Sequence, residues 1–535
     1  MFIFKKIKYT TVIWIMFYFI IFSFLLYNSH NYLDADLGWH LAVGERILEE
    51  RAVPNLDNYD YTLTGKAWVD HEWLLNLATH WLFDNFGYVG VNIFFSLVVV
   101  LALIILNIYT QKYFFTGRRL FLIMAFQFFG VLAMAPHLGA RMQVITLLNL
   151  SVLLLIMRHY DHTKDFRALF WLWPLFCFWA NVHAGFLIGI FVLFFWLGIK
   201  VIETMIKKIK IFSWVEFFSP LSAKELLVFF IFSLVAVAFT LLNPYGSELY
   251  SFLTSYTNDF YLKTIEEWMP SYAMPIQYKQ IIYAAIVVAM LIVFFSDLAR
   301  DIKKKNLKLD SWHLGLTLFF LVLAINSKRH FPLFFVASFS WLIATMGRDV
   351  VLSENSSRYF KDNRVLKIFI LPIFLLVALN FLFNTRYIQD PFFWFCGDYP
   401  CGAVRYIKSN PTLLDKKIFN NYGWGGYLIY VWPEKKLFID GRLPIYEFAG
   451  HTLFEEYFEF FKEGQSAAKL DQYDIDMVLL KIYSDIKLNW FEKNFLGLNE
   501  DKINGQKMYL YEYLKNSPDW YLGYSDPISE VYIRL

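Results

Sequence analysis

Thr11-Val-Ile-Trp-Ile-Met-Phe-Tyr-Phe-Ile-Ile-Phe-Ser-Phe-Leu-Leu-Tyr27 is followed, after a short polar gap, by Asp34-Ala-Asp-Leu-Gly-Trp-His40. The first run carries no charge and is just long enough to cross a bilayer as a helix. The second puts two carboxylates, a tryptophan and a histidine where a membrane protein usually has a plain polar connector. Lys5, Lys6 and Lys8 precede the apolar run. No small-x-small cleavage site follows it, which predicts an uncleaved signal-anchor with a cytoplasmic N-terminus.

Outward from this stretch, apolar segments recur near residues 88–110, 119–135, 142–157, 168–180, 184–203, 225–242, 280–296, 311–325, 331–346 and 365–385. With the first run they make about eleven spans, some short for a roughly 30 Å hydrocarbon core. The 535 residues are 58% hydrophobic and only 18% charged, where a soluble protein has roughly a quarter charged. The expected fold is therefore an all-α polytopic membrane domain, with the lipid bilayer as its obligatory partner. A net charge of +3 is too small to point to nucleic acid.

Alternate connectors are rich in Lys and Arg: Lys112/Arg118/Arg119, Arg158/Lys164/Arg167, Lys200/Lys207/Lys208/Lys210, Arg300/Lys303/Lys304/Lys305 and Arg348/Arg358/Lys361. The connectors between them are poor in both, and the bias sets the basic ones in the cytoplasm. An odd number of spans then places the C-terminal part outside the cell membrane. The expected division is a transmembrane domain over 1–385, with a long first outer loop at 28–87, and a small extracytoplasmic α/β domain over 386–535. Within the latter, Lys436–Asp440 and Met477–Lys481 read as buried strands and Leu453–Lys462 as an amphipathic helix. Cys396 and Cys401, in Phe-Cys-Gly-Asp-Tyr-Pro-Cys, read either as a local disulfide in an oxidising compartment or as two free thiols. Cys177 reads as a small buried residue.

The unusual polar residues fall on the outer connectors. Asp34, Asp36 and His40 share the first loop with Asp70-His71-Glu72-Trp73. His137 and Arg141 flank the second outer turn, Asn181 and His183 the third. Asn243-Pro-Tyr-Gly246 and Glu266-Glu267-Trp-Met-Pro270 lie in the fourth, and Lys328-Arg329-His330 in the fifth. Each has a plain alternative. Asp36 suits an N-cap of a helix starting at Leu37, and His40 a packed side chain. Trp68, Trp73 and Trp81 suit headgroup-level anchors, and Arg141 suits snorkelling. Gly185 and Gly189 suit a helix-packing face. Lys328 and Arg329 sit on the side where topology should leave few cations. Snorkelling accounts for them, as does an anion such as a lipid phosphate.

Three sets of residues carry a resemblance to a known group. The first is Asp34-Ala-Asp-Leu-Gly-Trp-His-Leu-Ala-Val-Gly44, Pro54, Asp57, Tyr61-Thr62 and Trp68-Val-Asp-His-Glu-Trp-Leu74. The second is Trp179-Ala-Asn-Val-His-Ala-Gly185, Asn243-Pro-Tyr-Gly246 and Glu267-Trp-Met-Pro270. The third is Asn421-Tyr-Gly-Trp-Gly-Gly-Tyr427 with Phe438-Ile-Asp-Gly-Arg442. Together they resemble the GT-C superfamily of polytopic glycosyltransferases, and within it the bacterial mannosyltransferase-like and lipopolysaccharide-modifying group. The resemblance implies a hexosyl- or pentosyltransferase with a polyprenyl-phosphate sugar as donor and an extracytoplasmic glycan, lipid or protein acceptor. It places the base or metal ligand at Asp36, with Asp34 as partner, and leaves a divalent cation (Mg or Mn) open. Gly-Trp-Gly-Gly-Tyr lacks the Trp-Trp-Asp-Tyr-Gly order of oligosaccharyltransferases, so sequon binding is not implied.

The chemistry fits these residue types. A phosphate leaving group needs little acid catalysis. It needs a carboxylate to take the acceptor hydroxyl proton and cations to stabilise the departing charge. Asp36 suits the first task. Arg141, Lys328, Arg329 and His183 suit the second, with His40, His71, Glu72, Asn181, Glu267 and His330 as further substrate-binding candidates. A transporter or flippase of a lipid-linked glycan is the main alternative, although nearly charge-free spans and the lack of a repeat speak against it. A catalytically inactive scaffold of an envelope assembly is another.

Overall fold

A computed structural model describes residues 9–29, 33–114, 120–255, 258–305, 307–349, 364–385, 396–448, 450–483, 485–504 and 508–535. Lys5, Lys6, Lys8, Arg118, Arg119, Arg358 and Lys361, used above for orientation, lie outside these residues. The chain forms two compact units. One comprises residues 1–34, 71–254 and 262–389; the other 35–70, 255–261 and 390–535.

The first unit is helical, and all eleven apolar segments form helices in it. They are α1 (Tyr9–Asn28), α3 (Trp73–Tyr113), α4 (Leu120–Met134), α5 (Val144–Thr163), α6 (Leu172–Val182), α7 (Phe186–Lys208), α8 (Ala223–Phe239), α11 (Tyr278–Lys303), α12 (Ser311–Asn326), α13 (Phe331–Asp349) and α14 (Arg364–Phe383). Leu37–Glu50 of the other unit is α2, and α9 (Glu248–Ser255) and α10 (Asp259–Thr264) are short. By length and composition, five of the described helices can cross a membrane, and four apolar ones are shorter. Helix α3 turns at Gly87, whose φ of 62° leaves the helical region; glycine tolerates this because it lacks a Cβ.

Apolar faces alone do not fix the register of such helices against one another, so polar ties matter. Asn28 donates to the Ala135 carbonyl at 3.0 Å, and Gln127 to the Leu103 carbonyl at 3.0 Å. A Cβ at Gly189 would lie 2.6 Å from the Trp179 ring, as expected of a packing glycine. Several charges on the basic connectors and helix ends are not merely solvated. Arg158 and Lys200 are buried; Arg158 Nη2 reaches Asp310 at 2.8 Å, and Lys200 Nζ reaches Asp161 and Glu203 at 3.1 Å each. Beside them, β1 (Val215–Phe217) and β2 (Leu307–Leu309) pair in parallel, joining two loops of the same parity.

The second unit carries a mixed four-stranded sheet of β3 (Ile418–Asn420), β4 (Met477–Lys481), β6 (Ser529–Arg534) and β5 (Trp520–Ser525), in that order. β3 and β4 are parallel; the other pairs are antiparallel. Met477–Lys481 is thus a strand, almost wholly buried. Lys436–Asp440 is not a sheet strand: it makes an isolated bridge, Leu437 to Asp60, because residues 59–61 rather than a sheet edge take its backbone bonds. The aromatic helix begins at Leu453 behind a capping box of Thr452 and Glu455 and ends at Glu459. Cys396 and Cys401 form a disulfide, which settles the choice between bridge and free thiols.

Candidate functional site

In the helical unit, three connectors bring cations together. Glu267, in a short turn after α10, accepts from Arg141 Nη1, and from Arg329 Nη1 at 3.3 Å. Burial alone would raise the Glu267 carboxyl, but the two guanidinium groups win and hold it at about 2. Arg329 also lies 5.0 Å from the centroid of the Trp268 ring. The backbone locks this arrangement, since Lys328 N–H donates to the Met269 carbonyl at 2.9 Å.

Lys328 is buried, and burial lowers its ammonium group below the ordinary range. Its Nζ sits 3.9 Å from Glu266 and finds no hydrogen-bond partner among the described residues. Both ring nitrogens of buried His137, and Nδ1 of His330, are likewise unpartnered there. Burial and then Arg329 push the His330 imidazole down to about 4, so it is neutral at physiological pH. Buried donors without acceptors are costly. Lys328 Nζ and one ring N–H of His137, beside two arginines, are donors that an acceptor-rich anion can satisfy.

A second constellation lies at the start of α3. Glu72 Oε1 is 3.5 Å from His183 Nε2 and 3.6 Å from His71 Nε2. Gly185 N–H donates to His183 Nδ1 at 2.9 Å, and Thr146 Oγ1 is 2.8 Å from the same nitrogen. Nδ1 is thus the acceptor in the neutral ring, which leaves the proton on Nε2, facing Glu72. Trp179 donates to Thr146 Oγ1 at 3.1 Å and fixes the hydroxyl in turn. Asn181 accepts from Trp73 at 2.9 Å and donates to the Cys177 and Leu242 carbonyls at 2.8 and 2.9 Å. Its amide ties elements together.

In the second unit, Asp36 occupies the N-cap position of α2 but makes no side-chain cap hydrogen bond. Its carboxylate is turned elsewhere: a Cβ on Gly441 would overlap Asp36 Oδ1. The first turn of α2 is seated on α15 (Gly425–Val431) through glycines. A Cβ at Gly38 would lie 2.6 Å from the Gly426 carbonyl carbon, and one at Gly426 would lie 3.4 Å from Asp36 Cα.

Beyond Gly441, Arg442 is wholly enclosed. Its Nε donates to Asp440 Oδ1 at 3.0 Å and Oδ2 at 3.1 Å, and its Nη2 to Asp57 Oδ1 at 2.7 Å. Tyr59 and Trp68 flank the guanidinium, their ring centroids at 4.4 and 4.7 Å. Burial would lower the Arg442 pKa, but Asp440 and Asp57 raise it further. Asp60 completes the group, its carboxyl raised far above the ordinary range by burial and by Asp440 and Asp57. Asp57, Asp60 and Asp440 have oxygens within 4.8 Å of one another, a spacing that suits a cation. Arg442 already donates to two of the three, so the group as it stands pairs a buried guanidinium.

No family model matches this chain, and no curated protein matches its sequence. Its structure is similar to that of the Archaeoglobus fulgidus oligosaccharyltransferase in the apo form. The TM-score is 0.51 over 100% of this chain and 75% of that one, at 11% identity. The chain shares the fold of that oligosaccharyltransferase. Two looser likenesses are to AglB from Archaeoglobus fulgidus with an inhibitory peptide and a dolichol-phosphate, and to ArnT from Cupriavidus metallidurans bound to undecaprenyl phosphate. Their TM-scores are 0.49 and 0.43, each at 12% identity, over 100% of this chain and 75% of the first, and 98% of this chain and 98% of the second. At 11% identity the first likeness is one of fold.

Within this fold, the residues singled out from sequence fall into groups. Arg141, Glu267, Lys328, Arg329 and His330 come together in the helical unit, as do His71, Glu72 and His183. Asp34 belongs to the helical unit and Asp36 to the other. His40 is buried with its ring 3.7 Å from that of Trp39, by centroids. Trp68 is not a headgroup anchor: it is buried beneath Arg442. Sequence reasoning gave no role to Asp57, Asp60, Asp440 or Arg442. The signal was the Asp-Gly-Arg run beside an apolar strand-like segment, since an arginine there has to be paired.

Proposed function

We propose that this protein is an integral membrane glycosyltransferase. It moves a sugar from a polyprenyl-phosphate carrier to an extracytoplasmic glycan, lipid or protein. The carrying observation is that Arg141 and Arg329 converge on Glu267 beside Lys328 and His137, whose buried Nζ and ring nitrogens have no hydrogen-bond partner among the described residues. A phosphate supplies acceptors to several donors at once, and arginine binds it as a fork. The positive-inside pattern of the sequence, read with about eleven spans and an extracytoplasmic C-terminal α/β part, supports an outer-face position for these connectors. The fold shared with the oligosaccharyltransferase supports the same class.

In this reading the acceptor hydroxyl oxygen attacks the anomeric carbon while the carbon–oxygen bond to phosphate breaks. Asp36 takes the hydroxyl proton, and the carrier leaves as a polyprenyl phosphate anion; Arg141, Arg329 and Lys328 are the proposed phosphate-binding cations of the helical unit. A positioned base of this kind is worth roughly 10²–10⁴-fold in rate. A divalent cation with Asp36 as ligand would add Lewis-acid stabilisation of the departing phosphate. The test is transfer from undecaprenyl-phosphate-linked radiolabelled hexoses and pentoses in membranes bearing Asp36→Asn. Loss of transfer at normal expression is expected, and full retention sinks Asp36 as the base.

A further inference from the structure

We propose that Gly441, held by Arg442 and its two carboxylate partners, is a positioning residue that aims the Asp36 carboxylate. The inference rests on the reading of Asp36 as the base.

Two observations in one compact unit carry it. Asp36 is the N-cap residue of α2, yet its side chain makes no cap bond. The side chain is packed instead over the bare Cα of Gly441, where a Cβ would overlap Oδ1 and lie 3.3 Å from Cγ. Any residue but glycine at 441 therefore competes with Asp36 for the same volume. The second observation is why Gly441 stays put. Asp440 Oδ1 accepts from Arg442 N–H at 2.7 Å, closing a tight turn around Gly441. The Arg442 side chain then clamps that turn to Asp57, through Nη2 at 2.7 Å. Asp57 in turn accepts from the Asp60 backbone N–H at 3.1 Å. Buried charges leave such a network little freedom, because breaking any one bond strands a charge in a low-dielectric interior.

The contrast with neighbouring glycines defines what a substitution at 441 does. At Gly38 and Gly426 an added Cβ meets backbone atoms of the opposite element, so the helix seating itself has to yield. At Gly441 the three nearest atoms it meets all belong to the Asp36 carboxylate group, on a side chain that turns about χ1. Gly441→Ala thus leaves the fold intact and swings the carboxylate away. A displacement of about 1 Å in a reacting group costs on the order of 10²-fold in rate.

The experiment is a double-mutant cycle in membranes, with an undecaprenyl-phosphate-linked radiolabelled hexose as donor. Gly441→Ala is expected to lower kcat about 100-fold with KM nearly unchanged, at normal expression and melting temperature. Added to Asp36→Asn, it is expected to cost nothing more, since its effect passes through Asp36. A full additional loss in the Asp36→Asn background overturns the proposal, as does wild-type kcat for Gly441→Ala alone. An arm independent of activity uses Asp36→Cys with Cys177→Ser, labelled by a charged methanethiosulfonate. Adding Gly441→Ala is expected to change the labelling rate several-fold. An unchanged rate overturns the positioning role even where Asp36→Asn abolishes transfer. Retained transfer in Asp36→Asn with a changed labelling rate removes the base assignment and leaves the packing result standing.

Discussion

Replacing Lys328 with methionine separates a binding role from a structural one. The Lys328 side chain is 2% exposed and its Nζ is 3.9 Å from a Glu266 that is 58% exposed. An ion pair with one well-solvated partner contributes about 0–1 kcal/mol, while burying an ammonium costs several kcal/mol. Methionine has a similar length and no charge, so Lys328→Met leaves the melting temperature unchanged or raises it. Binding moves the other way. A charge-assisted hydrogen bond to phosphate is worth about 1.5–3 kcal/mol, so affinity for a polyprenyl phosphate falls about 10- to 150-fold. The assay is titration of detergent-solubilised protein with a fluorescent undecaprenyl phosphate, alongside a melting scan. Exposed Lys207→Met is the control. A Kd within about threefold of wild type refutes the anion-site reasoning. A large drop in melting temperature refutes the view that this lysine is held at a cost to the fold.

Three further outcomes follow from the geometry. Arg442→Met strands Asp57 and Asp440 in the interior and destabilises the second unit by about 3–5 kcal/mol; adding Asp440→Asn restores part of it, as read by limited proteolysis in urea. Glu267 falls from an ordinary 4.5 to about 2 in the fold. A depressed carboxylate contributes stability above the unfolded value and loses it as pH falls through the folded one. The melting temperatures of wild type and Glu267→Gln therefore converge as pH drops from about 4.5 towards 2; a constant gap contradicts the Arg141–Glu267–Arg329 assignment. Thr146→Val removes the hydroxyl that holds His183 Nδ1, and the transfer assay is expected to show about a tenfold loss in kcat, the size of one lost hydrogen bond.

Much of the helical unit is legible in the chain because the signal is local. An uninterrupted apolar run with flanking lysines has one low-energy solution in a bilayer, a helix that satisfies its own backbone. Each apolar segment from Thr11–Tyr27 to 365–385 forms one. Lys436–Asp440 misled for the same reason. Its apolar centre reads as a strand whatever lies beside it, and the partner that decides the matter, residues 59–61, is almost four hundred positions away.

The sequence alone determined which residue types were out of place: carboxylates after the first span and cations at Lys328-Arg329. Charge in an apolar context is visible without coordinates. Tertiary structure alone decided their partners. It joined Arg141 and Arg329 on Glu267, gave His183 its tautomer through Thr146 and Gly185, and enclosed Arg442 between Asp57 and Asp440. The physical reason is range. Propensity and hydropathy act over a few residues, whereas a buried charge is stabilised only by whichever opposite charge the folded chain brings within about 4 Å.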